Sequence, residues 1–167
     1  IYAGILIDTN NFMTKTGVRT FEAAAYLRRA GAEVTRVRKK LRNDMAAYKA
    51  RAEAVRHAEV YRGAFAISVC PADNIESPTV VGAQAANELL NIVGIKASFV
   101  LTEYQGKIYI SSRSIDEINV QLIMERVGGG GHLNVAGAQL ANCSLEDAKQ
   151  IIQSTIDEMI REGDIQI

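Results

Sequence analysis

Short β-branched apolar runs and helically spaced apolar positions alternate along this chain, a pattern typical of α/β proteins. Residues 1–7 form a short apolar run that contains three β-branched Ile residues, which predicts a buried strand, and a polar turn follows at residues 8–11. An Ala-rich segment over residues 21–29 predicts a helix that ends at Gly31. The chain is therefore predicted to open with a strand, a loop and a helix from an α/β unit.

A different pattern runs from residue 35 to about residue 57, where apolar residues recur at helical spacing among charged ones. We interpret this segment as one long amphipathic linker helix. Residues 36–57 carry eight Lys and Arg against two acidic residues, a charge of +6, whereas the 19 basic and 19 acidic residues of the chain as a whole balance. The segment is either a solvated helix face or a surface for nucleic acid or phosphate.

After this segment, strands and helices alternate as they do in mixed α/β domains. The turn Gln105-Gly106 predicts a hairpin, because glycine supplies the positive φ that short hairpin turns need. Two Ser residues that have an acidic residue three positions later predict helix starts. The predicted elements are a strand over 61–70, a helix over 79–93, hairpin strands over 97–104 and 107–112, a helix from Ser114, a strand within 135–141 and a helix from Ser144 to Gly163.

Composition narrows the class of protein. The 48% apolar and 23% charged residues exclude a disordered chain. Cys70 and Cys143 stand in no Cys-x-x-Cys or Cys/His cluster, so a zinc site or a disulfide framework is not supported and a reducing compartment fits best. No apolar run is long enough for a membrane span, and the chain opens with Ile1 inside an apolar run, so we expect a fragment of a longer protein.

Four consecutive glycines, residues 128–131, precede His132. Because ordering glycine costs conformational entropy, such a run indicates a close approach to bare backbone. Successive N–H groups could cradle a phosphate, with His132 as a further donor. The alternative is a flexible turn that ends a helix. A P-loop and a dinucleotide fingerprint are both excluded, because no Lys-Ser/Thr follows and the run comes after a helix.

Two charged side chains are further candidates. Arg113 lies at the end of the predicted hairpin, just before a predicted helix start, where its guanidinium could hold a phosphate; the alternative is a surface salt bridge. Asp8 follows an apolar strand, where open α/β sheets place ligands. One carboxylate does not make a metal site, so Asp8 either caps a turn or has companion ligands outside this chain.

Two segments together resemble a known family. Residues 4–32 resemble the end of the DHH phosphoesterase domain of Gram-positive cyclic di-AMP phosphodiesterases, and residues 128–140 resemble the glycine-histidine motif of the DHH-associated domain. The Gly-Gly-Gly-His sequence alone is shared by RecJ-like exonucleases, oligonucleotide phosphatases and alanyl-tRNA synthetases. The segments Asp-Thr-Asn-Asn-Phe and Arg-Thr-Phe-Glu-Ala-Ala narrow the resemblance to the cyclic dinucleotide branch.

The resemblance implies an α/β fold in three regions. These are a strand-helix remnant of the DHH catalytic domain over residues 1–33, a long linker helix over 34–58, and a mixed α/β DHH-associated substrate-binding domain over 59–167. It also implies manganese-dependent hydrolysis of cyclic di-AMP to linear pApA. Asp8 matches a ligand of a centre of two Mn²⁺ ions. The substrate-binding residues that it implies are Arg113, Gly129, Gly130, Gly131 and His132.

No catalytic set is complete in this chain, because the Asp-His-His sequence and the preceding Asp-x-Asp of the family are absent. The 167 residues alone are therefore expected to be inactive. Two alternatives stay open: an oligonucleotide-degrading RecJ-like enzyme, and a nucleic-acid-binding module without catalysis. The expected partners are cyclic di-AMP or pApA, the rest of the same polypeptide and a second copy in a homodimer, without a stable nucleic-acid partner. The resemblance places the intact protein at the cytoplasmic face of the membrane, anchored outside this chain.

Overall fold

The computed structural model describes residues 1–13, 15–42, 44–115 and 117–166. The chain divides into two compact units, Ile1–Asp44 and Met45–Ile167. The predicted mixed α/β fold is confirmed, and all of the strands described belong to one sheet in the second unit. Within the described residues no helix has the length and apolar character that crossing a bilayer requires.

The described part of the first unit is helical, and its helices are α1 (Tyr2–Asp8), α2 (Val18–Arg29) and α3 (Val34–Lys40). The strand predicted over residues 1–7 is wrong, because this segment forms α1. A short apolar run does not by itself distinguish a strand from a helix. The helix predicted over 21–29 is confirmed as α2, and its end is capped by Gly31, whose φ is +97°.

The segment predicted as one linker helix is divided between α3 and α4 (Met45–Arg56). Asp44 directly precedes α4, and aspartate is favoured at this N-cap position over the interior of a helix. Helix α4 belongs to the second unit, where its small side chains Ala47, Ala50 and Ala54 are buried. The domain boundaries that the resemblance implies, at residues 33 and 58, stay predictions.

The second unit is a six-stranded mixed sheet with helices on both faces. Its strands are β1 (Glu59–Tyr61), β2 (Phe65–Val69), β3 (Ala97–Tyr104), β4 (Lys107–Ser114), β5 (Gly130–His132) and β6 (Val135–Ala141), and its further helices are α5 (Pro78–Leu89), α6 (Val120–Arg126) and α7 (Leu145–Glu162). The spatial order is β1-β2-β3-β4-β6-β5; β2 and β3 are parallel and the other neighbours are antiparallel.

Two hydrophobic cores follow from the alternation of side chains along the strands. On one face, Phe99 and its neighbours pack with α6 and α7, and on the other face Val100 packs with α4 and α5. Helix α7 presents Ile152 and Ile156 to the first core, and both side chains are fully buried. Strand β5 lies at the edge of the sheet and is the most exposed part of it on that side.

Three of the predictions that rest on local turn and cap signals hold in the structure. The hairpin of β3 and β4 turns at Gln105 and Gly106, whose φ angles are +51° and +71°. Helix α7 begins at the predicted capping box, in which Asp147 N donates to Ser144 Oγ over 3.1 Å. It ends at Gly163, whose φ is +85°.

Other boundaries differ from the predictions. The strand predicted over 61–70 is two strands, β1 and β2, separated by a turn in which Arg62 and Gly63 have positive φ. Helix α5 ends at Leu89 rather than at residue 93. The helix predicted from Ser114 begins only at Val120, because Ser114 is the last residue of β4 and Asn119 caps α6 instead.

Candidate functional site

Helix α5 covers only part of one face of the sheet, above β3. Ser98 Oγ donates to Ala86 O over 2.7 Å, and a Cβ on Gly82 would lie 2.4 Å from Thr102 Oγ1. On β4 and β6 the residues of the same face are half-buried or exposed, and an open cleft of about 450 Å³ lies there. The cleft is lined by Thr79, Tyr109, Ile110, Ser111, Gly128, Gly129, Gly137, Ala138 and Gln139.

Strand register brings two of the predicted site residues into one row. Arg113 of β4 is paired with Val135 of β6, and Val135 is paired with His132 of β5. Because paired residues project from the same face of a sheet, Arg113 and His132 belong to the face that carries the cleft. Arg113 is half-buried, and His132 is exposed on the edge strand.

The next row on this face is largely bare backbone. Ser111 is paired with Gly137, and Gly137 is paired with Gly130. A Cβ on Gly130 would meet no atom within 4 Å. The two neighbouring glycines therefore leave a floor without side chains beside the row of Arg113 and His132.

The Arg113 guanidinium is oriented by neutral acceptors. Its Nε donates to Asn87 Oδ1 over 3.0 Å, and its Nη1 donates to Ser112 O over 2.8 Å. Burial lowers the pKa of Arg113 from its ordinary value, but an arginine remains a cation at neutral pH. Among the described residues no carboxylate forms a salt bridge with it. Its remaining N–H groups are thus available to an anion.

The glycine run begins as a helix cap. Gly128 has a φ of +81°, and its N–H donates to Glu125 O over 3.1 Å, while Gly129 N donates to Met124 O over 2.8 Å. These bonds form a Schellman motif at the end of α6. The N–H groups of Gly128 and Gly129 already have partners within the helix, so they are not free donors for a phosphate.

Strand β6 makes the close approach that the glycines indicate. A Cβ on Gly129 would lie 2.2 Å from Gly137 O, and a Cβ on Gly131 would lie 2.4 Å from Ala136 Cα. Both distances are too short for any other residue. Direct binding of substrate by Gly129 and Gly131 stays a prediction. A Cβ would meet open space at both Gly128 and Gly130, but Gly128 has a positive φ, so Gly130 is the glycine of the run at which a side chain meets neither a close contact nor a left-handed backbone.

The turn after His132 is tied to the strand that carries Arg113. Asn134 Nδ2 donates to Ser114 O over 3.3 Å, and Ser114 N donates to Asn134 O over 3.1 Å. Leu133 O accepts from Val120 N over 3.0 Å. These bonds fix the position of β5 relative to the end of β4. The helix start predicted next to Arg113 is not there, so its dipole gives this site no support.

Asp8 is the last residue of α1, in the first unit, and it is exposed. Within the described ranges no three His, Cys, Asp or Glu side chains lie together in a way that could hold a metal ion. Mn²⁺ requires several oxygen or nitrogen ligands. The described residues therefore do not form a manganese site by themselves, and Asp8 stays a predicted ligand.

Cys70 is buried, and the basic segment 36–57 does not lie within one unit. Burial raises the pKa of the Cys70 thiol to about 11, which disfavours the nucleophilic thiolate at neutral pH. The basic segment 36–57 is divided between the two units, and within the second unit its Arg51 forms a salt bridge of 2.9 Å with Glu88.

The model of a protein family described as the DHHA1 domain matches residues 63–162, which is more than half of this chain. The chain belongs to the DHHA1 family. The DHH-associated domain indicated by the glycine-histidine motif is thereby confirmed.

Relatives with assigned activities match nearly the whole chain. It is 42% identical over 158 residues to the cyclic-di-AMP phosphodiesterase PdeA of Listeria monocytogenes, covering 94% of this chain and 24% of that protein. It is 40% identical over 165 residues to the cyclic-di-AMP phosphodiesterase GdpP of Bacillus subtilis, covering 98% and 25%. The chain thus spans about a quarter of the length of these relatives.

A solved structure has the same fold. An exopolyphosphatase-related protein from Bacteroides fragilis superimposes with a TM-score of 0.82 at 19% identity, over 93% of this chain and 48% of that one. At this identity the likeness concerns the fold alone. The arrangement of this DHHA1 domain is therefore shared by proteins whose sequences differ widely.

Sequence reasoning missed three residues of the candidate site. Asn87, which orients Arg113, lies 26 positions before it on α5 and belongs to no local motif. Tyr109 and Gln139 line the cleft from neighbouring strands. The alternation of residues along the predicted strands could have placed Tyr109 on the face of Arg113, but nothing in the sequence indicates that α5 leaves this part of the face open.

We predict that Gly129→Ala destabilises the domain and that Gly130→Ala, its matched control, does not. A methyl group at 129 would collide with the backbone of β6, which should lower the free energy of unfolding by about 1–3 kcal/mol. At 130 the space is open, and the change should stay within about 0.5 kcal/mol. Urea denaturation followed by circular dichroism measures both. Equal stability of the two variants would show that glycine at 129 does not serve the contact with β6.

Proposed function

We propose that the polypeptide containing this DHHA1 domain hydrolyses cyclic di-AMP to linear pApA, and that this domain holds a phosphate of the substrate. Relatives 40–42% identical over nearly all of these residues carry the name cyclic-di-AMP phosphodiesterase. Because the chain spans only a quarter of their length, the catalytic groups of the proposal belong to residues outside it.

The observation that carries this proposal is that Arg113 is half-buried and forms no salt bridge with a carboxylate of the described residues. Leaving a half-buried guanidinium without a counter-ion is costly, because burial penalises its charge. An incoming phosphate would supply the missing negative charge and accept two parallel N–H bonds from the planar fork. A cation prepared in this way favours an anionic ligand over a neutral one.

The proposed role of the domain is to position the substrate. A phosphate bound to Arg113 would rest beside the bare backbone of Gly130 and Gly137, with the His132 imidazole at the open edge. Hydrolysis adds one water across a phosphodiester: the P–O bond to a ribose oxygen breaks, the water oxygen bonds to phosphorus, and the ribose oxygen gains a proton. Holding the phosphate still relative to the attacking water contributes to the rate by reducing the entropy loss in the transition state.

We also propose that hydrolysis depends on Mn²⁺ and that Asp8 is one of its ligands. A single exposed carboxylate does not hold such an ion, so the other ligands have to come from residues outside these 167. Anchoring of the intact polypeptide at the membrane, through segments outside this chain, belongs to the same proposal and rests on the resemblance alone.

In the intact polypeptide, Arg113→Ala should lower kcat/KM for cyclic di-AMP by about 10- to 100-fold, the value expected for a lost charged hydrogen bond. Arg113→Lys should recover only part of this, because an ammonium group lacks the planar fork. Arg161→Ala, an exposed arginine of α7, is the matched control. Steady-state hydrolysis measured by chromatography decides, and unchanged kcat/KM in Arg113→Ala would contradict the proposal. Parallel assays with pApA and longer oligonucleotides distinguish the RecJ-like alternative.

His132→Ala in the intact polypeptide should slow cyclic di-AMP hydrolysis while leaving the metal content unchanged, because we assign His132 to the substrate and not to the metal. Metal content is measured by mass spectrometry of the purified protein, beside His57→Ala as a control for loss of an exposed histidine. Loss of metal from His132→Ala alone would mean that the imidazole is a metal ligand instead.

The 167 residues alone, supplied with Mn²⁺, should form no pApA from cyclic di-AMP. The single carboxylate of Asp8 does not provide enough ligands to hold the metal ions that the proposed reaction needs. Chromatography of the reaction mixture, with the intact polypeptide as a positive control, checks this expectation. Formation of pApA by the isolated chain above the level of buffer with Mn²⁺ would refute it.

A further inference from the structure

One end of the cleft has no role in the function proposed above. Beyond the floor of Gly130 and Gly137, the next cross-strand row consists of Tyr109 on β4 and Gln139 on β6, which are directly paired. Both side chains belong to residues that line the cleft, together with Thr79 of α5. None of the residues that line the cleft is charged.

The Tyr109 ring has a defined support. It lies against Tyr104 of β3, with ring centroids 6.4 Å apart and planes tilted by 52°. Tyr109 is half-buried, and Gln139 beside it is exposed. A supported aromatic ring with one accessible side is the arrangement on which nucleobases stack, and a glutamine amide donates and accepts hydrogen bonds at the edge of adenine.

The spacing along the strand fits a nucleotide. Tyr109 lies two residues from Ser111, and Ser111 shares the row of Gly137 and Gly130. Two residues of an antiparallel strand span about 7 Å. A phosphate at the glycine floor and a base over Tyr109 would therefore be separated by about the reach of one ribose.

We infer that Tyr109 and Gln139 form the adenine subsite of this domain, in which Tyr109 stacks on the base and Gln139 bonds to its edge. This inference rests on the proposed function, because the phosphate held at Arg113 directs the base toward this row. The chemistry that the row offers is uncharged stacking and amide hydrogen bonding, so its ligand is a neutral purine and not a second phosphate.

The test compares AMP with ribose 5-phosphate, two ligands without a phosphodiester bond, of which the second carries a hydroxyl group in place of the base. Affinities for the intact polypeptide are measured by isothermal titration calorimetry. Wild type should bind AMP more tightly. Tyr109→Leu should weaken AMP by at least about fivefold, the lower limit for loss of one stacked base, and leave ribose 5-phosphate unchanged. Tyr109→Phe should keep AMP binding, and Tyr48→Leu, an exposed tyrosine of α4, is the control.

The outcomes separate the subsite from the phosphate site. Equal affinity of wild type for the two ligands, or AMP binding that Tyr109→Leu leaves intact, would overturn the adenine subsite alone. Loss of both ligands in Tyr109→Leu would also overturn it, since Tyr109 would then act on the phosphate or on folding. Failure of wild type to bind either ligand would overturn the proposed function together with this inference.

Gln139 is tested with purine riboside 5′-phosphate, which stacks as AMP does but lacks the 6-amino group. Gln139→Ala should weaken AMP several-fold and the analogue less, because the bond from the 6-amino group is lost with AMP alone, whereas a bond from the amide to a ring nitrogen is lost with both. Gln150→Ala, an exposed glutamine of α7, is the control. Equal losses for AMP and the analogue, or no loss for either, would show that Gln139 does not bond to the 6-amino group and would overturn its part of the subsite.

Discussion

The site depends on one contact between backbones, that of the glycine run with strand β6. Gly129 passes so close to Gly137 O and Ala138 that any side chain would collide with them, and Gly131 does the same at Ala136. This contact turns the chain from the end of α6 directly into the edge strand β5. His132 comes into the row of Arg113 as a consequence, because His132 is paired with Val135 of β6 and Val135 is paired with Arg113. The placement of Arg113 and His132 in one row is thus determined by close packing elsewhere.

The cleft results from incomplete coverage of a sheet. Helix α5 packs closely on β3, where a Cβ at position 82 would collide with the Thr102 hydroxyl. On the opposite face, α6 and α7 bury side chains of β3, β4 and β6 in a continuous core. The same strands are therefore held in place by the core on one face and are accessible to a ligand on the other. Such an arrangement holds binding groups on regular strands, which position side chains more firmly than loops do.

Local sequence signals predicted much of the fold. The features that depend on contacts between residues distant in sequence could not be predicted. The turn at Gln105-Gly106 was predictable because two adjacent residues determine it. Residues 1–7 were not, since seven apolar residues fit a buried strand and a helix equally well. The run 128–131 correctly indicated a close approach to its backbone. The strand that makes this approach, β6, follows the run, and no local pattern in the sequence identifies it. The bond from Arg113 to Asn87 joins residues 26 positions apart, so only the packing of α5 on the sheet reveals it.

The identity of residue 87 explains how a half-buried cation can be both ordered and available. An amide oxygen at 3.0 Å fixes the direction of the Arg113 Nε, yet it carries no charge and leaves the guanidinium positive. An aspartate in the same place would also orient the arginine, but as an ion pair it would neutralise the charge and compete with a phosphate for the N–H groups. Orientation by neutral acceptors therefore serves binding of an anion, whereas orientation by a carboxylate would serve stability.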